Sequence, residues 1–255
     1  SEVDKLIELN KVYNKDCLEF MKEIPNNYVD LIIADPPYNI GKDGGDGWDT
    51  IPNYLEVFEQ WVINWKRILN NDGLLYCYCS QEYNADIEII FRKHMTIQNR
   101  IIWYYNNGER VTTKKFPYSY EPIFLVSKYK NNKFKVVRDS NNIQKGIRTK
   151  KNPNGTVTIT YPNPEGIKFT DVWNIPKLSG NRKQTKHPTE KPLELGKRML
   201  KSIDAGLVYI PFGGSGSEII NCIEYGVNWI ATEINSNYIN NIIIPRIQQY
   251  IENTV

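Results

Sequence analysis

Apolar and polar positions follow two periods in the amino-terminal part of the chain, and together they predict alternating strands and helices. The run VDLIIA at 29–34 is short, apolar and closed by proline, which is typical of a buried parallel strand. Residues 54–69 carry apolar side chains at helical spacing, and the apolar run at 74–80 predicts the next strand. A second helix at 85–94 and a strand at 97–105 follow. This order predicts a doubly wound, mostly parallel α/β sheet.

The same two periods return in the carboxyl-terminal part. The segment HPTEKPLELGKRMLKSI predicts a helix, with Thr189 as its N-cap and Pro192 in its first turn. The run GLVYIP then predicts a strand that leads through the glycine-rich turn FGGSGS into another helix. One more strand, VNWIATEI, precedes a final helix that contains Pro245.

Between these regular parts lies a long irregular stretch. Residues 105–180 are rich in Asn, Lys, Gly, Pro and Thr, and only the run PIFLVSK within them has strand character. We therefore predict a catalytic and cofactor-binding domain formed by residues 1–104 and 181–255, interrupted by an irregular insertion at 105–180. A chain of 255 residues is long enough for one large domain of this kind.

Positive charge is concentrated in the same stretch. Residues 105–186 contain 17 Lys or Arg and 5 Asp or Glu, whereas the rest of the chain contains 15 and 24. This imbalance favours a segment that binds a polyanion such as nucleic acid. The alternative is a solvated, lysine-rich insertion encoded by an AT-rich genome, because Asn and Lys are abundant throughout.

Composition disfavours several other classes of protein. The four cysteines lack the spacing of a zinc site, so we expect reduced thiols that serve in packing. The spacing of Asp43, Asp46 and Asp49 does not match an EF-hand loop, and we predict no metal. No apolar run approaches the roughly 20 residues that span a bilayer, and no signal peptide is visible, so we expect no membrane partner.

The glycine-rich turn at 212–217 is a candidate binding site, because glycines allow a ligand to approach the backbone closely. Glu233 follows at the end of the next predicted strand, where a doubly wound fold places a carboxylate on ribose hydroxyls. No lysine follows the turn as a phosphate-binding loop requires, so an adenosine cofactor without phosphates is favoured. The alternative for Glu233 is a solvated acid at a strand end.

The second candidate site is DPPY, residues 35–38, at the end of the first predicted strand. Pro36 and Pro37 fix the backbone and remove amide donors, so their carbonyls are left as acceptors. Asp35 adds an acceptor carboxylate and Tyr38 adds a flat ring. Such a pocket suits a planar group with an –NH₂, such as a nucleobase amine, whose attack the acceptors would favour. The alternative is a proline turn with Asp35 as a local cap.

These two motifs together resemble the amino-methylating DNA methyltransferases that use S-adenosylmethionine. With DPPY first and FGGSGS last, the order is similar to the β class of that family, in which a DNA-reading insertion lies between them. The segments NKDCLEFMKEIPNNYVDLIIADPPYNIG and HPTEKPLEL also resemble the family closely. The resemblance covers nearly the whole chain and implies a Rossmann-like methyltransferase sheet with a basic insertion.

The resemblance implies a role for each matched residue. In the catalytic element, Asp35 and the Pro36 carbonyl would hold the target amine, Pro37 would stiffen the turn, and Tyr38 would stack on the flipped base. The implied cofactor-binding residues are Asp16, Cys17, Asp35, His187, Thr189, Lys191, Phe212, Gly213, Gly214, Ser215, Gly216, Ser217, Glu233 and Ile234. The DNA-binding residues expected within the basic insertion are Lys114, Lys115, Arg148, Lys150 and Lys151.

We therefore expect a site-specific DNA methyltransferase that acts on the N6 amine of a flipped adenine. Asp35 favours adenine, because cytosine-N4 relatives more often carry Ser at that position. Cytosine-N4 methylation remains an alternative, as does an RNA or protein amide methylase. A third alternative is a catalytically weak DNA-binding relative, because the family usually has Asp where this chain has Ile210.

The implied partner is double-stranded DNA, and the implied location is the cytoplasm, in association with the nucleoid through DNA. Members of the family often pair through their cofactor domain, and many belong to restriction-modification systems. A homodimer and a cognate restriction endonuclease are therefore partners that the resemblance raises and the sequence leaves open.

Overall fold

The computed structural model describes residues 7–43, 45–108, 110 and 112–254. The expectation about a signal peptide falls partly on residues 1–6, which lie outside the described residues. Residues 44 and 255 of the predicted cofactor domain, and residues 109 and 111 of the predicted insertion, also lie outside them.

The described part of the chain contains twelve strands and seven α-helices. The strands are β1 (Lys11–Tyr13), β2 (Val29–Ala34), β3 (Leu69–Tyr78), β4 (Thr96–Tyr104), β5 (Tyr120–Ser127), β6 (Arg138–Asp139), β7 (Arg148–Lys151), β8 (Val157–Thr160), β9 (Ile167–Lys168), β10 (Val172–Asn174), β11 (Leu207–Ile210) and β12 (Asn228–Thr232). The helices are α1 (Cys17–Met21), α2 (Tyr54–Ile68), α3 (Asn84–His94), α4 (Leu193–Lys201), α5 (Ser217–Tyr225), α6 (Ser236–Tyr238) and α7 (Ile244–Thr254). A 3-10 turn, Gly180–Arg182, precedes α4, and a π-helical segment, Ile239–Ile243, joins α6 to α7.

Eight strands form one sheet in the order β1-β12-β11-β2-β3-β5-β4-β10. Every neighbouring pair is parallel except the two that involve β5, which runs against both β3 and β4. The mostly parallel sheet expected from the sequence is confirmed. The connections from β2 and from β11 lead away in opposite directions along the sheet, which opens a crevice at their carboxyl ends.

Helices cover both faces of the sheet, and side chains alternate between the two cores as a strand requires. On β2, Ile32 packs into a core with Phe58 and Trp65 of α2. Its neighbour Leu31 points to the other face, where Leu195 of α4 and Ile219 of α5 form the second core. All of these side chains are buried, and each contributes about 1.5–3 kcal/mol to folding. The doubly wound architecture is therefore confirmed.

The helix expected to begin after Thr189 begins later. Leu193 is its first residue, and Pro192 is the N-cap residue, without a side-chain hydrogen bond to the helix. The physical reason is Pro192 itself, because the residue before a proline is biased toward extended backbone, so Lys191 does not join the helix. The predicted N-cap at Thr189 is therefore wrong, and its amide N–H donates instead to His187 Nδ1 at 3.1 Å.

The predicted strand at 74–80 begins five residues earlier than expected, at Leu69, directly after α2 ends at Ile68. Leu69 pairs with Val29, and the next pair joins Leu74 to Leu31. The polar residues between them form an irregularity in the ladder. Asn71, Asp72 and Gly73 are residue types that favour turns, and here they lie in a bulge within the strand.

The predicted insertion at 105–180 contains more of the sheet than expected. Strand β5 lies between β3 and β4, and β10 extends the sheet beyond β4. The segment outside the sheet is therefore shorter, and it contains the small sheets β6–β9 and β7–β8. The division at 105 and 180 remains a proposal about which residues contact DNA.

The final helix is present but interrupted. The π-helical segment Ile239–Ile243 ends just before α7, and Pro245 is the second residue of α7. A proline is tolerated in a first helical turn, where its missing N–H is not needed. None of the described helices combines the length and the apolar character needed to cross a bilayer.

Candidate active site

A cavity of about 980 Å³ lies at the carboxyl ends of the parallel strands. Segments that follow β1, β2, β3, β4, β10, β11 and β12 all contribute to its wall, because parallel strands end at one edge of a sheet. The predicted site residues on this wall are Asp16, Cys17, Asp35, Pro36, Pro37, Tyr38, Lys115, His187, Thr189, Lys191, Phe212, Gly213, Gly214, Ser215, Glu233 and Ile234. DPPY and the glycine-rich turn, far apart in sequence, therefore share one cavity.

Asp35 lies directly after β2 and forms an ion pair with Lys191, whose Nζ is 3.1 Å from Asp35 Oδ2. Burial raises the pKa of Asp35, and the charge of Lys191 opposes that rise. Burial alone would lower the pKa of Lys191, but the charges of Asp35 and Glu121 raise it above its usual value. The pair therefore holds a carboxylate at the cavity wall with a protonated lysine beside it.

Sequence reasoning missed Glu121, a second largely buried acid of the cavity, which binds the Tyr38 hydroxyl and Lys177. Its carboxylate accepts a hydrogen bond from Tyr38 Oη at 2.9 Å and pairs with Lys177 Nζ at 3.1 Å. Burial would raise the pKa of Glu121, but the charges of Lys191 and Lys177 lower it below its usual value. Glu121 reaches this edge because β5 runs against its neighbours and so begins where they end.

Lys191 is also held by aromatic rings. Its Nζ lies 5.2 Å from the ring centroid of Tyr38 and 5.1 Å from that of Tyr78, within cation–π distance. The two proline carbonyls differ in environment. Tyr54 Oη donates to the Pro37 carbonyl at 2.6 Å, whereas no donor among the described residues reaches the Pro36 carbonyl. Pro36 is thus the carbonyl left to bind a ligand.

The glycine-rich turn after β11 brings its backbone to the cavity. Gly214 and Gly216 adopt φ of +52° and +80°, which side chains disfavour. The Gly213 amide donates to the Thr232 carbonyl at 2.8 Å, and the Gly214 amide donates to Glu233 Oε1 at 2.8 Å. The turn is therefore tied to the end of β12.

Glu233 is buried and its carboxylate is fixed on both oxygens, since the Asn235 amide also donates to Oε2 at 2.7 Å. Burial raises the pKa of Glu233, and these backbone hydrogen bonds oppose the rise. Asn14 Nδ2 donates to the carbonyls of Glu233 and of the exposed Ile234 at 3.0 Å each. The alternative of a solvated acid at a strand end does not hold for Glu233.

At the adjoining end of the cavity, Asp16 caps α1. Its Oδ1 accepts from the amides of Leu18 at 2.8 Å and Glu19 at 3.3 Å, which leaves Oδ2 for another partner. Cys17 opens the helix beside it and is buried. Phe212 packs edge-on against Trp61 with ring centroids 4.9 Å apart, and both residues line the cavity.

Two aromatic residues that sequence reasoning missed, Trp48 and Tyr238, lie beside His187. Its ring centroid lies 4.6 Å from that of Tyr238 and 6.2 Å from that of Trp48, and Trp48 Nε1 donates to Tyr238 Oη at 3.1 Å. Burial, and then the charges of Lys191 and Lys183, lower the pKa of His187 to about 3. His187 is therefore a neutral ring at neutral pH.

Gly216 and Ser217 lie behind the cavity wall. The Ser217 hydroxyl donates to the Lys191 carbonyl at 2.9 Å and accepts from Arg246 at 2.9 Å. Arg246 also donates to the Ser215 carbonyl at 2.9 Å. These bonds fix the glycine-rich turn against the segment that contains Lys191. Ser217 therefore stabilises the site without lining the cavity.

The aspartates at 43 and 49 are used by the loop that contains them. Asp49 accepts from the backbone amides of Asn39 and Lys42 at 2.8 Å each, and Asp43 accepts from the amides of Gly45 and Asp49. Within the described ranges, no group of His, Cys, Asp and Glu is suited to hold a metal ion.

The five predicted DNA-binding residues divide between two places. Lys115 lies at the cavity mouth and donates to Tyr118 Oη at 2.7 Å, and Lys114 is exposed beside it. Arg148, Lys150 and Lys151 lie on β7, which pairs with β8 in an exposed hairpin. The hairpin is not part of the cavity wall.

The DNA methylase family model for N6 and N4 methyltransferases matches residues 29–244. That range includes both motifs and most of the cavity wall, and the chain belongs to this family of DNA amino-methyltransferases. Its members take the methyl group from S-adenosylmethionine.

Several named proteins are similar to this chain. The Type II methyltransferase M1.MboII of Moraxella bovis is 30% identical, with 92% of this chain and 95% of that protein covered. The DNA adenine methyltransferase YhdJ of Escherichia coli (strain K12) is 33% identical, with 91% and 81% covered. Among solved structures, the M1.HpyAVI–SAM complex matches with a TM-score of 0.60 at 22% identity, over 89% of this chain and 94% of that one. The cytosine-N4-specific PvuII DNA methyltransferase matches with a TM-score of 0.68 at 15% identity, over 94% and 90%. The last two show the fold alone.

The residues on the cavity wall fit S-adenosylmethionine in their chemistry. Glu233 would hold ribose hydroxyls through its fixed carboxylate oxygens, and Phe212 would give adenine an apolar face. Three acids and two lysines line the part of the cavity near DPPY, and this excess of acids would suit a sulfonium; they are Asp35, Glu121, Glu218, Lys177 and Lys191. Ile210, where the family usually has Asp, is fully buried in the second core and lies off the cavity wall.

Proposed function

We propose that this chain is a site-specific DNA methyltransferase that transfers methyl to the N6 amine of a flipped adenine. The observation that supports it most is the corner formed by Asp35, the free Pro36 carbonyl and Tyr38, in one cavity with the glycine-rich turn. The acid at position 35 favours adenine over cytosine. The name of the relative YhdJ, a DNA adenine methyltransferase, supports the same choice.

In this proposal the Tyr38 ring stacks on the extruded base, and the Tyr38 hydroxyl stays bonded to Glu121. The amine donates its two N–H groups to Asp35 and to the Pro36 carbonyl. Both acceptors favour the pyramidal nitrogen whose lone pair can attack, because its delocalisation into the ring is reduced. S-adenosylmethionine, when bound along Phe212, Glu233 and the glycine-rich turn, supplies the methyl group. The amine lone pair would form the new bond to the methyl carbon as the bond from that carbon to sulfur breaks, so S-adenosylhomocysteine would be the leaving product. Asp35 would stabilise the positive charge on the nitrogen. The nitrogen would then lose one proton to solvent, which restores a neutral methylated amine.

Extrusion of the base costs a few kcal/mol, which contacts with the rest of the duplex must offset. We propose that residues 105–180 supply many of them. Lys115 lies at the cavity mouth, where a phosphate next to the extruded base would pass. The β7–β8 hairpin is a two-stranded β-ribbon, and the major groove of DNA is wide enough to admit such a ribbon. On it, Arg148 pairs with Thr160 and Lys150 with Thr158, so these four side chains share one face.

The test is to express the chain with DNA, digest that DNA to nucleosides and identify the modified base. N6-methyladenine is the expected product, and its absence together with N4-methylcytosine would contradict the choice of base while keeping the reaction class. Transfer to RNA in preference to duplex DNA, in direct competition, would contradict the proposed substrate.

We further propose a restriction-modification setting, because M1.MboII and other relatives have Type II names. DNA methylated by this chain should then resist an endonuclease of the same specificity. A homodimer that pairs through the cofactor domain is part of the proposal, and light scattering of the purified protein tests it.

A further inference from the structure

Glu218 is a buried acid that none of the roles above uses. It lies in the first turn of α5, directly after the glycine-rich turn, and is only 4% exposed. Glu218 is one of the residues that line the cavity, as is Ser215. Apart from its own backbone amide, no group in the described part of the chain donates a hydrogen bond to its carboxylate.

The charges around Glu218 are already committed to other partners. The titratable and charged groups that face it are Asp35, Tyr78, Lys191, Cys222 and Arg246. Lys191 is paired with Asp35 at 3.1 Å, and Arg246 lies 3.6 Å from Glu190. Glu218 is therefore a buried carboxyl group without a cation of its own, which is an unfavourable state unless a ligand supplies one.

Burial, and then the charge of Asp35, raise the pKa of Glu218 to about 7. The group is thus divided between its neutral and charged forms near neutral pH. A cation placed beside it would stabilise the charged form and lower this pKa. The carboxyl group of Glu218 would therefore gain a stable negative charge if a ligand placed a cation next to it.

We propose that Glu218 binds the α-ammonium group of the methionine part of the cofactor and so positions the methyl group toward Asp35. The adenosine end of that ligand is accounted for by Phe212 and Glu233, which follow β11 and β12. Glu218 instead lines the same cavity within reach of the charge of Asp35, and the amino-acid end would extend in that direction. A sulfonium has no N–H to donate, whereas an ammonium has three. This inference rests on the placement of the cofactor proposed above.

A measurable consequence of this ion pair is the release of a proton when the ligand binds. Below about pH 7 the free protein holds a proton on Glu218, and the arriving ammonium displaces it to the buffer. Affinity for ligands that contain the ammonium should therefore fall as pH drops below about 7. Ligands without it should show no such dependence on Glu218.

The experiment is calorimetric titration of wild type and Glu218→Gln in two buffers of different ionisation enthalpy, at about pH 6.5. The first ligand is S-adenosylhomocysteine. The matched ligand is 5′-methylthioadenosine, which has the same nucleoside and thioether but neither the ammonium nor the carboxylate. Wild type should release a proton with the first ligand and none with the second. Glu218→Gln should bind the first about tenfold to a hundredfold more weakly, without proton release, and bind the second as wild type does.

Glu233→Gln serves as the control, because it should weaken both ligands by a similar factor through the shared ribose. If Glu218→Gln unfolds, the contrast between the two ligands in wild type still decides the question. Wild type that binds S-adenosylhomocysteine without proton release, or Glu218→Gln that keeps full affinity and the same proton release, overturns the inference and leaves the proposed function intact. Wild type that binds neither ligand overturns both.

Discussion

The charges of the cavity and the charges of the β7–β8 hairpin are held in opposite ways. In the cavity, Asp35 pairs with Lys191 and Glu121 with Lys177, each at 3.1 Å, and the two acids and Lys191 are largely buried. On the hairpin every residue of β7 and β8 is exposed, and its basic side chains form no ion pair with any described residue.

This difference separates two kinds of electrostatics. Buried charges interact strongly over short distances and are little screened by salt, so the position of each one matters. Exposed basic groups act together on a polyanion, and their effect falls as salt rises. Substitutions in the cavity should therefore change the reaction steeply, whereas those on the hairpin should change DNA affinity modestly.

Substitution of Asp35 should have the largest effect on the rate of methyl transfer. Asp35→Ala should abolish detectable transfer, and Asp35→Asn should lower the single-turnover rate by about a hundredfold or more, because the negative acceptor at the amine is lost. The affinity for S-adenosylhomocysteine should largely survive in both. The fold loss should be the same at low and at physiological salt.

Full activity of Asp35→Asn would show that the ion pair with Lys191 is structural and would remove Asp35 from the reaction. A loss that grew with salt would contradict the contrast between the two regions.

The next effect separates the ring of Tyr38 from its hydroxyl. Tyr38→Ala removes the stacking face and should lower kcat/KM on duplex DNA about tenfold to a hundredfold, since a stacked base contributes about 1–3 kcal/mol. Tyr38→Phe keeps the ring and removes only the donor to Glu121, so it should cost about threefold or less. Equal losses in the two variants would mean that the hydrogen bond to Glu121, and not stacking, is what the site needs.

Much of the fold follows from the sequence because its signals are local. The apolar run that became β2 has the predicted bounds, and α2 ends one residue before the predicted end. The placement of β5 and β10 does not follow in that way, because pairing depends on partners far along the chain. The sequence of β5 is that of an ordinary apolar strand, and nothing in it indicates that the strand runs antiparallel to its neighbours.

The same limit explains which site residues were found. Asp35 and the glycine-rich turn have motifs whose backbone requirements are visible in the sequence. Glu121 and Lys177 have none, since their importance arises only where β5 begins and where the chain leaves β10, beside Tyr38. Trp48, in the loop after DPPY, and Tyr238, at the end of α6, both contact His187 although they lie far apart in sequence, and no spacing rule connects them. Glu218 follows the glycine-rich turn directly, so its position was a signal that could have been used.

A smaller effect concerns the buried ring of His187, whose pKa of about 3 lies well below its ordinary value of about 6.5. The unfolded chain binds a proton there below about pH 6.5 and the folded protein does not, so the free energy of unfolding should fall as pH drops from about 6.5 toward 3. The contribution is at most about 1.4 kcal/mol per pH unit. Urea denaturation of wild type and His187→Asn at about pH 7.5 and 5.5 measures it.

Wild type should lose about 1 kcal/mol more than His187→Asn over that interval. Parallel losses in the two proteins would show that His187 titrates normally and that the cavity is more accessible to water than its packing indicates.

The smallest effect is expected on the hairpin, where two adjacent lysines provide a matched pair. Lys150 pairs with Thr158, and Lys151 pairs with Val157, so their side chains point to opposite faces. If the face with Arg148 and Lys150 lies against DNA, Lys150→Ala should weaken duplex binding about twofold to fivefold and reduce its salt dependence, while Lys151→Ala changes little. Equal losses would mean that the hairpin meets DNA edge-on. No loss in either would mean that the basic insertion is only solvated, and the contrast between the two regions would then rest on the cavity alone.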